Sequence, residues 1–240
     1  MHATSRDVSS LAGLVRQGAV ALPLDLPVGI EALRSLPSGI RVLHSVPTTA
    51  DRDFTAELLS LLRPSRVVYL STTGVYGDAR EVDETTRVSP RTQRQRLRVD
   101  AETIVQRGPF SSLILRPAAI YGPGRGVHVS MRAGRYRLIG DGTNYVSRIH
   151  VDDLAALAEA ALLLEATGAY PVADDEPCQA LEMARFCAKL LRIEMPPSVP
   201  PEATDETLRA NRRVDGRAIR ELLGVTLVYP SYRAGVPASL

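Results

Sequence analysis

Val67-Val68-Tyr69-Leu70-Ser71-Thr72-Thr73-Gly74-Val75-Tyr76-Gly77 sets the architecture of this 240-residue chain. An apolar, β-branched run of strand length breaks into three hydroxyl side chains, and then into Gly and Val-Tyr-Gly. In open α/β sheets ligands bind at the carboxyl ends of strands, so hydroxyls placed here meet an arriving substrate oxygen. Serine and threonine each donate and accept, which suits an oxygen that alternates between carbonyl and alcohol. The same hydroxyls also serve to cap the strand end, and this stretch alone does not separate the two uses.

Outward from it, short apolar runs alternate with helical periodicity. Strands are expected at Ala19–Leu24, Arg41–Val46, Arg66–Ser71, Ser111–Arg116 and near Ala169–Ala173. Helices are expected at Val8–Gln17, Ile30–Leu36, Asp51–Leu62, Arg91–Gln106, Val151–Leu164, Gln179–Leu191 and Asp215–Leu223. Strand, helix, strand, repeated, is the pattern of a doubly wound parallel sheet. One domain over residues 1–240 is expected, with a smaller C-terminal lobe from roughly 170 to 240, because no linker interrupts the alternation. The proline cluster Met195–Pro201 is a connection inside that lobe.

Two further motifs repeat the logic. Ser112-Leu113-Ile114-Leu115-Arg116-Pro117-Ala118-Ala119-Ile120-Tyr121-Gly122-Pro123-Gly124 is a strand that ends in an arginine and a Gly/Pro loop. Gly140-Asp141-Gly142-Thr143-Asn144-Tyr145 precedes Arg148-Ile149-His150-Val151-Asp152-Asp153-Leu154, where Asp152 or Asp153 suits the first turn of a helix.

In this order and spacing the three motifs resemble the extended short-chain dehydrogenase/reductases, the NAD-dependent epimerase/dehydratase type, over nearly the whole chain. Asn211-Arg212-Arg213-Val214-Asp215, Glu221-Leu222-Leu223-Gly224 and Tyr229-Pro230-Ser231-Tyr232 are similar to the closing segment of that family. The resemblance implies a Rossmann-type α/β fold, NADP or NAD as cofactor, and a sugar-nucleotide-like or other small polar substrate. It places Thr72 and Thr73 at the reactive oxygen as catalytic candidates. Arg6, Arg98 and Arg116 fall on the cofactor side, and Tyr121, Asn144 and Arg148 on the substrate side. It also suggests a homodimer through the Asp51–Leu62 and Arg91–Gln106 helices.

Two departures limit the transfer. The family opens with a strand, a G-x-x-G-x-x-G turn and a helix, whose N–H groups hold the pyrophosphate; no such turn occurs in this sequence. Met1–Asp7 matches the end of the family's second strand, so the expected fold lacks its first βα unit and the biological start is expected upstream. Arg6 then falls beside the adenosine ribose, where a basic residue accommodates a 2′-phosphate and points to NADP. Gly122-Pro123-Gly124-Arg125-Gly126 follows a late strand and reads as a substrate-side loop.

The second departure is the Y-x-x-x-K pair. Aligned on Glu102, its positions hold Arg94 and Arg98, at the edge of a buried stripe expected at Leu97, Ala101, Ile104 and Val105. Arginine stays protonated and cannot exchange a proton near neutrality, so it cannot replace the tyrosine. It can hold a ribose or phosphate, or it can pair with Glu102 on a solvated face. Tyr76, Tyr121 and His150 lie in the right loops to supply a proton, but none is singled out, and His44 reads as structural. Enzymatic activity is therefore left open, against a non-catalytic dinucleotide-sensing or interaction module that kept the fold.

Composition bounds the rest. With 29 basic and 27 acidic residues the net charge is +2, and no aromatic residues interleave with Arg91–Arg98, so nucleic acid is not an expected partner. No apolar run approaches the ~18–20 residues of a membrane span, and Met1–Arg16 lacks an apolar signal segment. Cys178 and Cys187, read on one helix and too far apart to bridge, suit a cytoplasmic protein with free thiols. No metal-ligand set is singled out.

Overall fold

A computed structural model describes residues 1–49, 52–204 and 209–240. The N-terminal part runs β1 (His2–Ser5), α1 (Ala12–Arg16), β2 (Val20–Pro23), β3 (Arg41–His44), α2 (Thr55–Leu62) and β4 (Arg66–Leu70). Then come β5 (Glu81–Val82), α3 (Gln93–Arg107), β6 (Ser111–Pro117), β7 (Ala119–Tyr121), α4 (Val127–Arg132), β8 (Leu138–Ile139), β9 (Tyr145–Val146) and β10 (Arg148–His150). The remainder is α5 (Val151–Leu163), β11 (Gly168–Val172), β12 (Cys178–Gln179), α6 (Ala180–Leu191), β13 (Ser198–Val199), β14 (Arg213–Val214), α7 (Arg217–Leu223) and α8 (Tyr232–Ala238).

The central sheet is parallel, in the order β11-β6-β4-β3. Its side chains alternate between two cores, as the period of two demands. Val68, Leu113 and Leu115 pack with Leu154, Leu157 and Ala161 of α5 and Ile219 and Leu223 of α7. Val67, Tyr69 and Ile114 point the other way, onto Leu59 of α2 and Ala101 and Val105 of α3. Helices cover both faces, so the expected doubly wound α/β architecture is present. β1 and β2 pair in parallel with each other and, among the described residues, with no strand of the central sheet. No helix among the described residues is long and apolar enough to cross a membrane.

Several expected elements are redrawn. Val8–Gln17 divides into a 3-10 turn, Val8–Leu11, and α1, and Ile30–Ser35 is 3-10 throughout. The helix expected at Asp51–Leu62 begins at Thr55, and Asp51 itself lies outside the described residues. α3 starts at Gln93 because Thr92 and Gln95 form a capping box in which each satisfies the other's backbone N–H. Its expected stripe is half right: Ala101 and Val105 are buried, but Ile104 is exposed and Glu102 takes the inward place. Cys178 lies on β12, with only Cys187 on a helix; both thiols are free and buried.

The C-terminal segment is tied down by the Ile-His-Val-Asp-Asp motif. His150 caps α5, its Nδ1 accepting from Asp152 N–H and its Nε2 lying 3.1 Å from Ser239 Oγ. Asp153, in the first turn as expected, is buried and accepts the backbone N–H groups of Val228 (2.8 Å) and Tyr229 (3.0 Å). Asp153→Ala is expected to cost about 2–3 kcal/mol, since it strands two donors that a charged acceptor satisfied. A urea unfolding midpoint unchanged from the parent protein would refute this role.

Candidate functional site

At the carboxyl ends of neighbouring β3 and β4 the chain sets out hydroxyls. Thr72 holds an extended backbone and caps the 3-10 turn Thr73–Tyr76, its Oγ1 accepting from Gly74 N–H at 3.1 Å. That bond uses the oxygen as acceptor and leaves the half-buried O–H able to donate outward. Thr73 is buried within the same turn. The Ser71 and Thr48 hydroxyl oxygens are buried without a hydrogen-bond partner, one just past β4 and the other just past β3. Buried hydroxyls are ordinarily satisfied, so a pair of orphans at adjacent strand ends fits a bound group rich in donors and acceptors, as a ribose or carboxamide is.

Gly77 closes the turn at φ +58°, where a Cβ would lie 2.1 Å from the Ser89 carbonyl oxygen. Only glycine fits that position. Arg212, from the closing segment, donates to the carbonyls of Ala79 (3.1 Å) and Gly77, and so holds the turn from behind.

Arg98 projects from α3 beside the strand ends. Its Nη1 donates to the Tyr69 hydroxyl at 2.8 Å, and it is half-buried. Tyr69 in turn stacks on His44, with ring centroids 5.0 Å apart, and His44 Nε2 lies 2.8 Å from Thr55 Oγ1. Burial depresses the His44 pKa to about 4, so this imidazole is neutral near pH 7 and acts as framework, the role its sequence position suggested. Arg94 is exposed.

The Arg98–Glu102 pair that the helix spacing allowed does not form. Glu102 is buried and chelates Arg116 on β6, at 3.0 Å to Nε and 2.6 Å to Nη2. Arg116 Nη1 donates to Tyr76 OH at 3.1 Å. Each guanidinium nitrogen of Arg116 thus has a partner inside the protein, which gives this residue a framework role. The sequence showed an arginine at a strand end; that a carboxylate one helix away would claim it was invisible.

The three residues expected on the substrate side are each tied to a different part of the chain. Tyr121 is buried and donates to the Ser231 carbonyl at 3.2 Å. Asn144 Nδ2 donates to the Ala210 carbonyl at 3.0 Å. Arg148, also buried, donates through Nη1 to the Val146 carbonyl (2.7 Å) and Cys178 Sγ (3.2 Å). Arg6 is exposed just past β1. Tyr121 and His150 have committed polar atoms, the buried Tyr76 hydroxyl accepts from Arg116, and burial raises the pKa of both tyrosines above the ordinary value. The Gly122–Gly126 loop folds on itself, Gly122 and Arg125 exchanging N–H to carbonyl bonds of 3.0 and 3.1 Å, so those N–H groups are not offered to a phosphate. Sequence analysis missed Asp174, a buried carboxylic acid just past β11, because nothing in Ala173-Asp174-Asp175-Glu176 separates a buried acid from its exposed neighbours.

The model of the NAD dependent epimerase/dehydratase family matches residues 48–172. Among curated proteins, a 3-diazoavenalumate denitrifying reductase of Streptomyces sp. is 31% identical over 152 residues, 57% of this chain and 50% of that protein. The chain spans about half the length of that relative. A solved conserved protein of Silicibacter pomeroyi is 33% identical with a TM-score of 0.81, covering 98% of this chain and 88% of that one. The UDP-glucuronic acid 4-epimerase of Bacillus cereus, solved with NAD, shares the fold at 17% identity and a TM-score of 0.76, over 96% and 83% of the two chains.

Proposed function

Since the chain belongs to the NAD dependent epimerase/dehydratase family, we propose that it is an atypical NAD(P)-dependent oxidoreductase or epimerase-like protein acting on a small polar, sugar-nucleotide-like substrate. The observation that carries this is the pair of orphaned hydroxyls, Ser71 and Thr48, beside the free O–H of Thr72 at adjacent strand ends. When bound, the dinucleotide supplies or takes up the hydride. The protein's part is positional. Thr72 donates to the reacting oxygen and Thr73 supports its turn. Arg98, at the family's lysine position, is held by Tyr69, and its remaining donors serve a ribose. Arg6 beyond β1 favours a 2′-phosphate and hence NADP. Asn144 and Arg148 stand on the substrate side, and a homodimer through α2 and α3 belongs to the same proposal. With arginine at the tyrosine position, the reaction's proton comes from elsewhere.

The test is a titration of NADPH and NADH into the protein, followed by nicotinamide fluorescence. Saturable enhancement is expected, stronger for NADPH. Arg98→Met is expected to weaken it about tenfold or more, the worth of one charge-assisted hydrogen bond. A second reading, a non-catalytic sensing or interaction module, is favoured by the burial of Tyr76, Tyr121 and His150. It takes over if neither nucleotide gives a saturable signal, or if binding occurs with no turnover on any sugar nucleotide.

A further inference from the structure

A cavity of about 610 Å³ is walled by β5, the segment that follows β11, and the junction of β14 with α7. Gly216 makes this shape possible: a Cβ there would lie 2.6 Å from both the nitrogen and the oxygen of Ala173, so only glycine lets the start of α7 close against the strand end. Five carboxyl groups line the cavity against two guanidiniums. The pairings are what matter. Glu81 is matched by Arg213 at 2.7 Å, Asp215 by Arg217 at 2.5 Å, and Asp175 by Arg220 at 2.5 Å. Asp83 accepts from Thr85 and Thr86.

Asp174 differs. It is 2% exposed; Oδ1 accepts one long bond, 3.4 Å, from Glu176 N–H, and Oδ2 has no partner. A buried carboxyl oxygen left unpaired is costly unless something completes it. An anion is a poor candidate, because both lining arginines are already paired. A metal ion is no better: among the described residues no group of three or more His, Cys, Asp or Glu is placed to hold one. What remains is a hydrogen-bond donor of modest size, and an ammonium both donates to the carboxylate and matches its charge.

We propose that this cavity binds a small ligand carrying a primary ammonium and hydroxyl groups, with the Asp174 carboxylate as counter-ion to the nitrogen. The paired carboxylates and arginines around it offer acceptors and donors to the hydroxyls. Without ligand, burial lifts the Asp174 pKa to about 8; Asp175 and Glu176 on its own segment push the same way, and Arg148 on β10 opposes. Glu81 and Asp83 on one wall, and Arg213, Asp215 and Arg217 on the other, complete the charges around the cavity. An ammonium that binds below that pH must expel the acid's proton, so affinity rises with pH up to about 8.

Glucamine and sorbitol differ only in ammonium against hydroxyl, and titration calorimetry of each, without nucleotide, tests the proposal. Glucamine is expected to bind at least tenfold more tightly than sorbitol near pH 8, to weaken toward tenfold per pH unit below that, and to release a proton detectable as buffer-dependent heat. Asp174→Asn keeps the shape and the Glu176 contact, and is expected to abolish the preference for glucamine while leaving sorbitol unchanged. Equal binding of the two, binding of neither, or a preference that survives Asp174→Asn would each overturn it. No nicotinamide enters the experiment, so its failure and that of the dinucleotide proposal are separately visible.

Discussion

Glu102→Leu is expected to destabilise the protein by about 3–5 kcal/mol. The carboxylate and the Arg116 guanidinium are both buried and bound through two nitrogens, and Tyr76 closes the network at the third. Removing one partner leaves a guanidinium charge with nothing to offset its lost hydration. The double substitution Glu102→Leu with Arg116→Met is expected to recover much of the loss, because apolar residues of similar volume replace a buried pair at little cost. Urea unfolding of the four proteins in the cycle gives the coupling energy directly. A single substitution costing under about 1 kcal/mol would mean that water reaches the pair and that Arg116 is available to a ligand after all.

The second large effect is on pH dependence. Asp174 keeps its proton in the folded protein to about pH 8, whereas the unfolded chain releases it near the ordinary value of 3.8. Across that window the native state binds one more proton than the unfolded state. Stability from this group is therefore complete below about pH 4 and is lost as pH rises through about 8. The slope approaches about 1.4 kcal/mol per pH unit for one full proton. Asp174→Asn has no proton to lose, so its unfolding free energy is expected to exceed that of the parent increasingly from pH 5 to pH 8. Parallel curves for the two proteins would show that Asp174 is ionised and paired in the folded state.

The fold was legible because its signals are local. The run Val67–Leu70, the hydroxyls after it and the Val-Tyr-Gly turn each act within a few residues of themselves, and alternation of side chains along the strands set which of them faced which core. The motif set was equally local, so the family could be recognised before any contact was known. What the side chains at those motifs do was decided elsewhere. Glu102 lies one turn from Arg98 in sequence, but β6 brings Arg116 to it, and a buried carboxylate takes the partner that shares its desolvation over the one that keeps its water. Asp153 looks like an ordinary first-turn acid until Val228 and Tyr229 bring it two backbone donors from 75 and 76 residues away. Asp174 and Asp175 are neighbours of identical chemistry. Only the tertiary structure buries one and leaves the other exposed, where Gly216 packs against Ala173, a proximity that no pattern along the chain encodes.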